Sequence, residues 1–235
     1  MIRRSQFTAH SSQFTARSSD AIAAFVFQAA VLLYILLASP SAREPRALSV
    51  SDIFPAFFPT AFALYLFINR IRQSQLKLDT DIRLFAKRIL LGAVAGLLVT
   101  PFARLLTQLT HVLIVGLGFA PPLPQWLVES FAHPDTANAA KIAVAFSAIV
   151  CAPVAEEILN RWAIAGALAK RIHPALAAIL SALWFSALHM NVLSAPGLFV
   201  LGIVFAALYH RTASIVAPVT AHAVFNMAFF IGSQA

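Results

Sequence analysis

The sequence predicts an all-α fold: a polytopic transmembrane bundle of about seven spans, eight if Pro101 or Pro153 splits a run. Three observations predict it. Of the 235 residues 60% are hydrophobic and only 11% charged, whereas a soluble domain carries roughly 25% charged residues. The mean hydropathy is +0.81. The apolar residues also fall into runs suited to a hydrocarbon core ~30 Å thick, separated by polar or proline-rich stretches. Such a chain cannot coat a globule with polar surface. A soluble enzyme, a disordered protein and a nucleic-acid binder are therefore excluded. The expected setting is a multi-pass membrane protein, in the inner membrane if the cell is bacterial.

The formal charge of +8 comes from 17 Lys and Arg against 9 Asp and Glu. These cations cluster between apolar runs, where they fix orientation and meet the lipid bilayer rather than nucleic acid. The single Cys151 leaves no disulfide framework and no CxxC motif.

Residues 1–20 are polar, contain SQFTA twice (5–9 and 12–16), and read as a disordered tail with no apolar face to bury. The transmembrane domain follows, 21–235. Its first run, 21–38, is longer than a signal-peptide core and is followed by Ser39-Pro40-Ser41-Ala42, a poor cleavage site, so it reads as an uncleaved span. The second, about 53–68, is entered through Pro55 and Pro59. Segment 69–88 is a solvated basic loop running into a helix start. Run 89–119 carries Pro101, expected to kink it, and the GxxxG Gly92–Gly96, which permits close helix approach. Residues 120–138, with four prolines and Trp126, read as an interfacial loop. The last hundred residues hold runs 139–170, 174–190, 196–209 and 213–231. As one helix, 139–170 would be about 48 Å long at 1.5 Å per residue, so Pro153 is expected to bend or break it. Seven alternating spans put the tail, the 69–88 segment, Lys170-Arg171 and Arg211 on one side, which the positive-inside rule makes cytoplasmic. Arg43 and Arg46 dissent.

An ionisable residue in a span is expensive, so the polar interruptions are the informative positions. In Glu156-Glu157-Ile158-Leu159-Asn160-Arg161, Glu157 and Arg161 are four apart and meet on one helix face. Glu156 lies about 100° away with no cation four residues on, and is left free for chemistry. A carboxylate in an apolar site with water access suits a general base. The bland alternative is a solvated salt bridge at a helix end. His189 closes Phe185-Ser186-Ala187-Leu188-His189 and, alone, is equally an interfacial histidine. His222 and Asn226 share a face, as helix–helix glue or as site residues. Counting from the turn near Ile172, Glu156 and His189 return to a similar depth. His222 comes out about 8–9 Å shallower, counted from Arg211.

The ordered set EExxxR, FxxxH, HxxxN resembles the CPBP family of intramembrane proteases, which includes CAAX prenyl endopeptidases and bacteriocin-processing and abortive-infection proteins. It is carried by Glu156-Glu157…Arg161, Phe185…His189 and His222…Asn226, with a protease-like core at about 139–232. The resemblance implies an endopeptidase that hydrolyses a peptide bond in a membrane-associated protein or peptide. Glu156 would activate the water, His189 would orient it, and His222 and Asn226 would stabilise the oxyanion, with Arg161 and Phe185 in support. It also implies a metalloprotease alternative, in which Glu156, His189 and His222 bind zinc and Glu157 becomes the base. Both mechanisms stay open. Asn160 stands where the family has an aromatic residue; it shares the face of Glu156 and would hydrogen-bond it or reshape the pocket. Two other functions compete: a non-catalytic scaffold or immunity protein on the same fold, and an ion or proton transporter relaying through Glu156 and the histidines.

Overall fold

The computed structural model describes residues 16–38, 47–74, 81–120, 131 and 133–232. Every regular element among them is helical, and seven helices have 15 residues or more. They are α1 (Ser18–Ala38), α2 (Phe58–Ser74), α3 (Ile82–Gly116), α4 (Asn138–Leu168), α5 (Pro174–Leu188), α6 (Ala195–Thr212) and α7 (Val216–Gly232). A turn, Val50–Ile53, and a 3₁₀ turn with Pro55, Phe54–Phe57, lead into α2. Four stretches are long and apolar enough to cross a membrane: Val50–Gln73, Ile82–Gly116, Asn138–Leu168 and Ala195–Thr212. Large apolar side chains such as Leu90, Leu98 and Val112 of α3 are exposed, as a lipid-facing surface requires. The chain is an integral membrane helix bundle. Tail residues 1–15, the 39–46 stretch with Pro40, Arg43 and Arg46, and loop 121–130 lie outside the described residues.

Two expected breaks do not occur. Helix α3 runs unbroken through Pro101 for 35 residues, and it begins seven residues before the apolar run. Asp81 caps it, accepting hydrogen bonds from the amides of Arg83 (2.9 Å) and Leu84 (3.3 Å), so the helix absorbs the basic Arg83, Lys87 and Arg88. Helix α4 likewise passes through Pro153, by widening. A π-helical segment, Ser147–Cys151, precedes the α-helical Ala152–Glu157, and a second, Ile158–Ala165, follows it. A proline ring collides with the carbonyl four residues back, and the wider π turn relieves that collision.

The helices alternate in direction, and one end gathers the basic residues. Arg70 at the foot of α2 forms a bidentate pair with Asp20 in the first turn of α1, at 2.6–3.0 Å. Lys170 donates to the Ala16 carbonyl (2.8 Å) and Arg171 to the Ser18 hydroxyl (3.0 Å). Burial and the nearby Arg70 push the Lys170 ammonium below its ordinary range, with Asp20 pulling the other way. Residues 16–20, tail-like by composition, are thus built into the bundle.

Helices α3 and α7 run parallel and pack closely. A β-carbon at Gly92 would strike the Ala217 carbonyl, and one at Gly96 the Ala221 backbone, so the GxxxG is the seam between them. Val99 and Ala103 of α3, Phe185 of α5, Leu201 and Phe205 of α6 and Ala221 of α7 form one core cluster. A second, around Ile158, Leu159 and Trp162, packs α4 against α1 and α2. The site lies between these clusters.

Candidate active site

Glu156 and Glu157 are adjacent in the chain but face different surroundings. Glu157 is fully buried. Its Oε2 accepts from Arg161 Nε at 2.9 Å, and its Oε1 lies 3.2 Å from His222 Nδ1. Arg161, also fully buried, donates a second bond to Ser181 Oγ (3.0 Å), which donates in turn to the Asn160 carbonyl (2.9 Å). The guanidinium lies over the Phe185 ring, 4.9 Å from its centroid. The charge pair is thus buried, bonded on both partners and stacked, the conditions under which an ion pair is tolerated away from water.

Glu156 is about a third exposed and lines a cavity of about 660 Å³ shared with Phe185, His189, His222 and Asn226. Its Oε2 has no hydrogen-bond partner. His189 Nε2 lies 3.9 Å from that oxygen and His222 Nε2 4.0 Å. The offset of 8–9 Å counted along the chain for His222 therefore vanishes. Residue counting assumes every turn lies at the same height and every axis is upright, and neither need hold.

Backbone and carboxylate partners fix both imidazoles. His189 Nδ1 is 2.8 Å from the Phe185 carbonyl, which can only accept, so Nδ1 carries the proton and Nε2 presents a lone pair. His222 Nδ1 donates to Glu157 in the same way, leaving Nε2 toward the cavity. Phe205 stacks on His222 with centroids 5.0 Å apart, and Phe185 meets both histidines edge-on. Helix α5 stops at this point because Met190 takes a left-handed conformation, φ 46°.

Asn226 lines the cavity, but one amide N–H is engaged: Nδ2 donates to the Ala148 carbonyl at 2.7 Å. In the π turn of α4 that carbonyl would receive the N–H of residue 153, and proline has none. Asn226 supplies the missing donor from α7. Asn160 bonds the backbone carbonyl of Glu156 (2.9 Å), not its carboxylate.

Zinc is the metal raised by the sequence resemblance, and two imidazoles with a carboxylate suit it in donor type. The spacing does not suit it. Ligands at about 2.0–2.1 Å in a tetrahedral site stand about 3.3 Å apart, against 3.9 and 4.0 Å here. Among the described residues no group of three or more His, Cys, Asp or Glu side chains is placed to hold a metal ion.

Residues 138–228 match the family model described as type II CAAX prenyl endopeptidase Rce1-like. The stretch is similar to an Rce1-like domain. The resemblance carried by the three motifs is borne out over α4 to α7. No curated protein and no solved structure matches the chain. The matched stretch holds every residue singled out by the motifs, and α3, outside the match, adds Arg104 to the cavity wall. Sequence reasoning passed over Arg104, Ser181 and Phe205. Arg104 had a usable signal, as the one Lys or Arg within the apolar run 89–119. Ser181 and Phe205 had none.

Proposed function

We propose that the chain is an intramembrane endopeptidase in which Glu156 activates a water for attack on a peptide bond of a membrane-associated protein or peptide. The observation that carries this reading is the unbonded Glu156 carboxylate, which lines a cavity opposite two histidines held with their Nε2 atoms toward it. Helix bridging accounts for Glu157, Arg161 and Asn226. It does not account for a half-buried carboxylate with no partner, and this favours catalysis over a scaffold.

In the reaction, water bridges Glu156 and His189. Glu156 takes one proton while the oxygen attacks the carbonyl carbon, and the His189 lone pair accepts from the other hydrogen. The carbonyl becomes an oxyanion. The second amide N–H of Asn226 donates to it, beside the His222 ring that Glu157 holds through Nδ1. The C–N bond then breaks, and Glu156 returns its proton to the leaving amine. A fixed donor counts for more where bulk water is excluded than it would in solvent. The family description makes a prenylated peptide the first substrate to offer.

The test is cleavage of prenylated and unmodified membrane-associated peptides by purified protein, with Glu156→Gln and with a strong chelator. The expected result is a loss of about 10²–10⁴-fold in Glu156→Gln, unchanged melting, and activity that survives the chelator. An active Glu156→Gln variant overturns the proposal. Activity lost to the chelator and restored by zinc would make Glu156 a ligand or a base beside the metal.

A further inference from the structure

A groove of about 440 Å³ runs between α1, the end of α4 and α5, and shares no residue with the Glu156 cavity. Its two ends differ in chemistry. Ser18 and Arg171 stand together at one end, where the guanidinium donates to the Ser18 hydroxyl at 3.0 Å. Beyond them the wall is apolar: Ile22 and Phe25 of α1, Leu168 of α4, Leu180 and Trp184 of α5. The indole N–H of Trp184 is already engaged by Gln28, at 2.8 Å. Ile22, Phe25 and Leu180 are exposed, so the groove opens sideways toward the hydrocarbon rather than into the bundle.

We infer that this groove binds one anionic phospholipid of the bilayer, with its phosphate at Arg171 and an acyl chain along Trp184. Charge complementarity names the head. Arg17, Arg70, Lys170 and Arg171 gather at this end against Asp20, and Arg70 already holds that carboxylate by both oxygens. Ser18 takes one of the five N–H donors of Arg171, and the others have no partner among the described residues. A guanidinium fork suits phosphate oxygens. Basic pockets between helix ends are where anionic headgroups collect. Length names the tail. Trp184 lies ten residues beyond Pro174, the first residue of α5, about 15 Å at 1.5 Å per residue. Half of a ~30 Å hydrocarbon core is equally deep. A phosphate held at Arg171 therefore lays an acyl chain down the whole groove, whereas free phosphate would leave the apolar wall uncovered.

The experiment places the full chain in vesicles carrying a fixed share of lipid with brominated acyl chains, which quench a neighbouring indole. Trp184→Phe supplies the background from Trp126 and Trp162, and the difference reports the groove. Brominated phosphatidylglycerol is expected to quench Trp184 with about 5-fold higher relative affinity than brominated phosphatidylcholine, the ratio that corresponds to about 1 kcal/mol for one cation beside an anionic headgroup. In Arg171→Gln the ratio falls to about 1. Lys87→Gln, which removes an exposed cation of α3 outside the groove, leaves it unchanged. A ratio of 1 in the wild type overturns the assignment. So does a ratio kept in Arg171→Gln, or one that falls equally in Lys87→Gln and so reports the charge of the whole surface. Quenching relieved by a prenylated peptide would give the groove to a substrate chain and overturns it too. The wild-type comparison stands by itself if a variant does not fold.

Discussion

Glu156 and Glu157 show how far one peptide bond separates two environments. Glu157 is locked between Arg161 and His222 with no exposure, and Glu156 has no hydrogen-bond partner at Oε2. Neutralising them therefore has opposite consequences. Glu157→Gln leaves the buried Arg161 charge without its counter-ion, a loss of about 3–5 kcal/mol, read as a large fall in the detergent melting temperature. Glu156→Gln removes no bonded partner and melts like the wild type. Equal melting temperatures for the two variants would contradict this division. The split was legible in the sequence because an i, i+4 carboxylate–guanidinium pair can be read from spacing alone. The bond between His222 and Glu157 was not, because it joins helices 65 residues apart. Arg104 was available to the rule that flags charges in spans and was missed.

Among the elements, α4 repays the closest reading. Its proline signalled an irregularity correctly: the chain widens around it, and the freed Ala148 carbonyl finds its donor on α7. Sequence cannot show this, since the compensation depends on which side chain a neighbouring helix presents. The arrangement predicts coupling between Pro153 and Asn226. In Pro153→Ala the restored backbone N–H can bond Ala148, so removing Asn226 should matter less. Asn226→Ala alone is expected to destabilise by about 1 kcal/mol, the scale of one lost, part-buried hydrogen bond, and by distinctly less in the Pro153→Ala background. A double-mutant cycle with no coupling would reject the substitution of side chain for backbone. The GxxxG of α3 was readable as a close-contact motif. Its partner, α7, was not.

At the scale of the whole molecule, hydropathy and charge carried most of the architecture. Seven apolar runs became seven helices, and three of the four basic segments meet at one end through Asp20–Arg70, Lys170–Ala16 and Arg171–Ser18. Composition failed where tertiary contacts decide, as in residues 16–20, whose polar character hides their place under α2 and the 170–171 turn.

Helix α5 has 15 residues and ends immediately before His189. At 1.5 Å per residue it spans about 22 Å, well short of a ~30 Å hydrocarbon layer. A helix that short draws the leaflet toward it, and the strain grows with acyl-chain length. The bilayer itself then becomes a setting on the enzyme. Reconstituted into vesicles of graded thickness, it should cleave fastest in the thinnest that keeps it folded and slow as the chains lengthen; a rate indifferent to thickness would show that the bundle shields this short helix from the lipid.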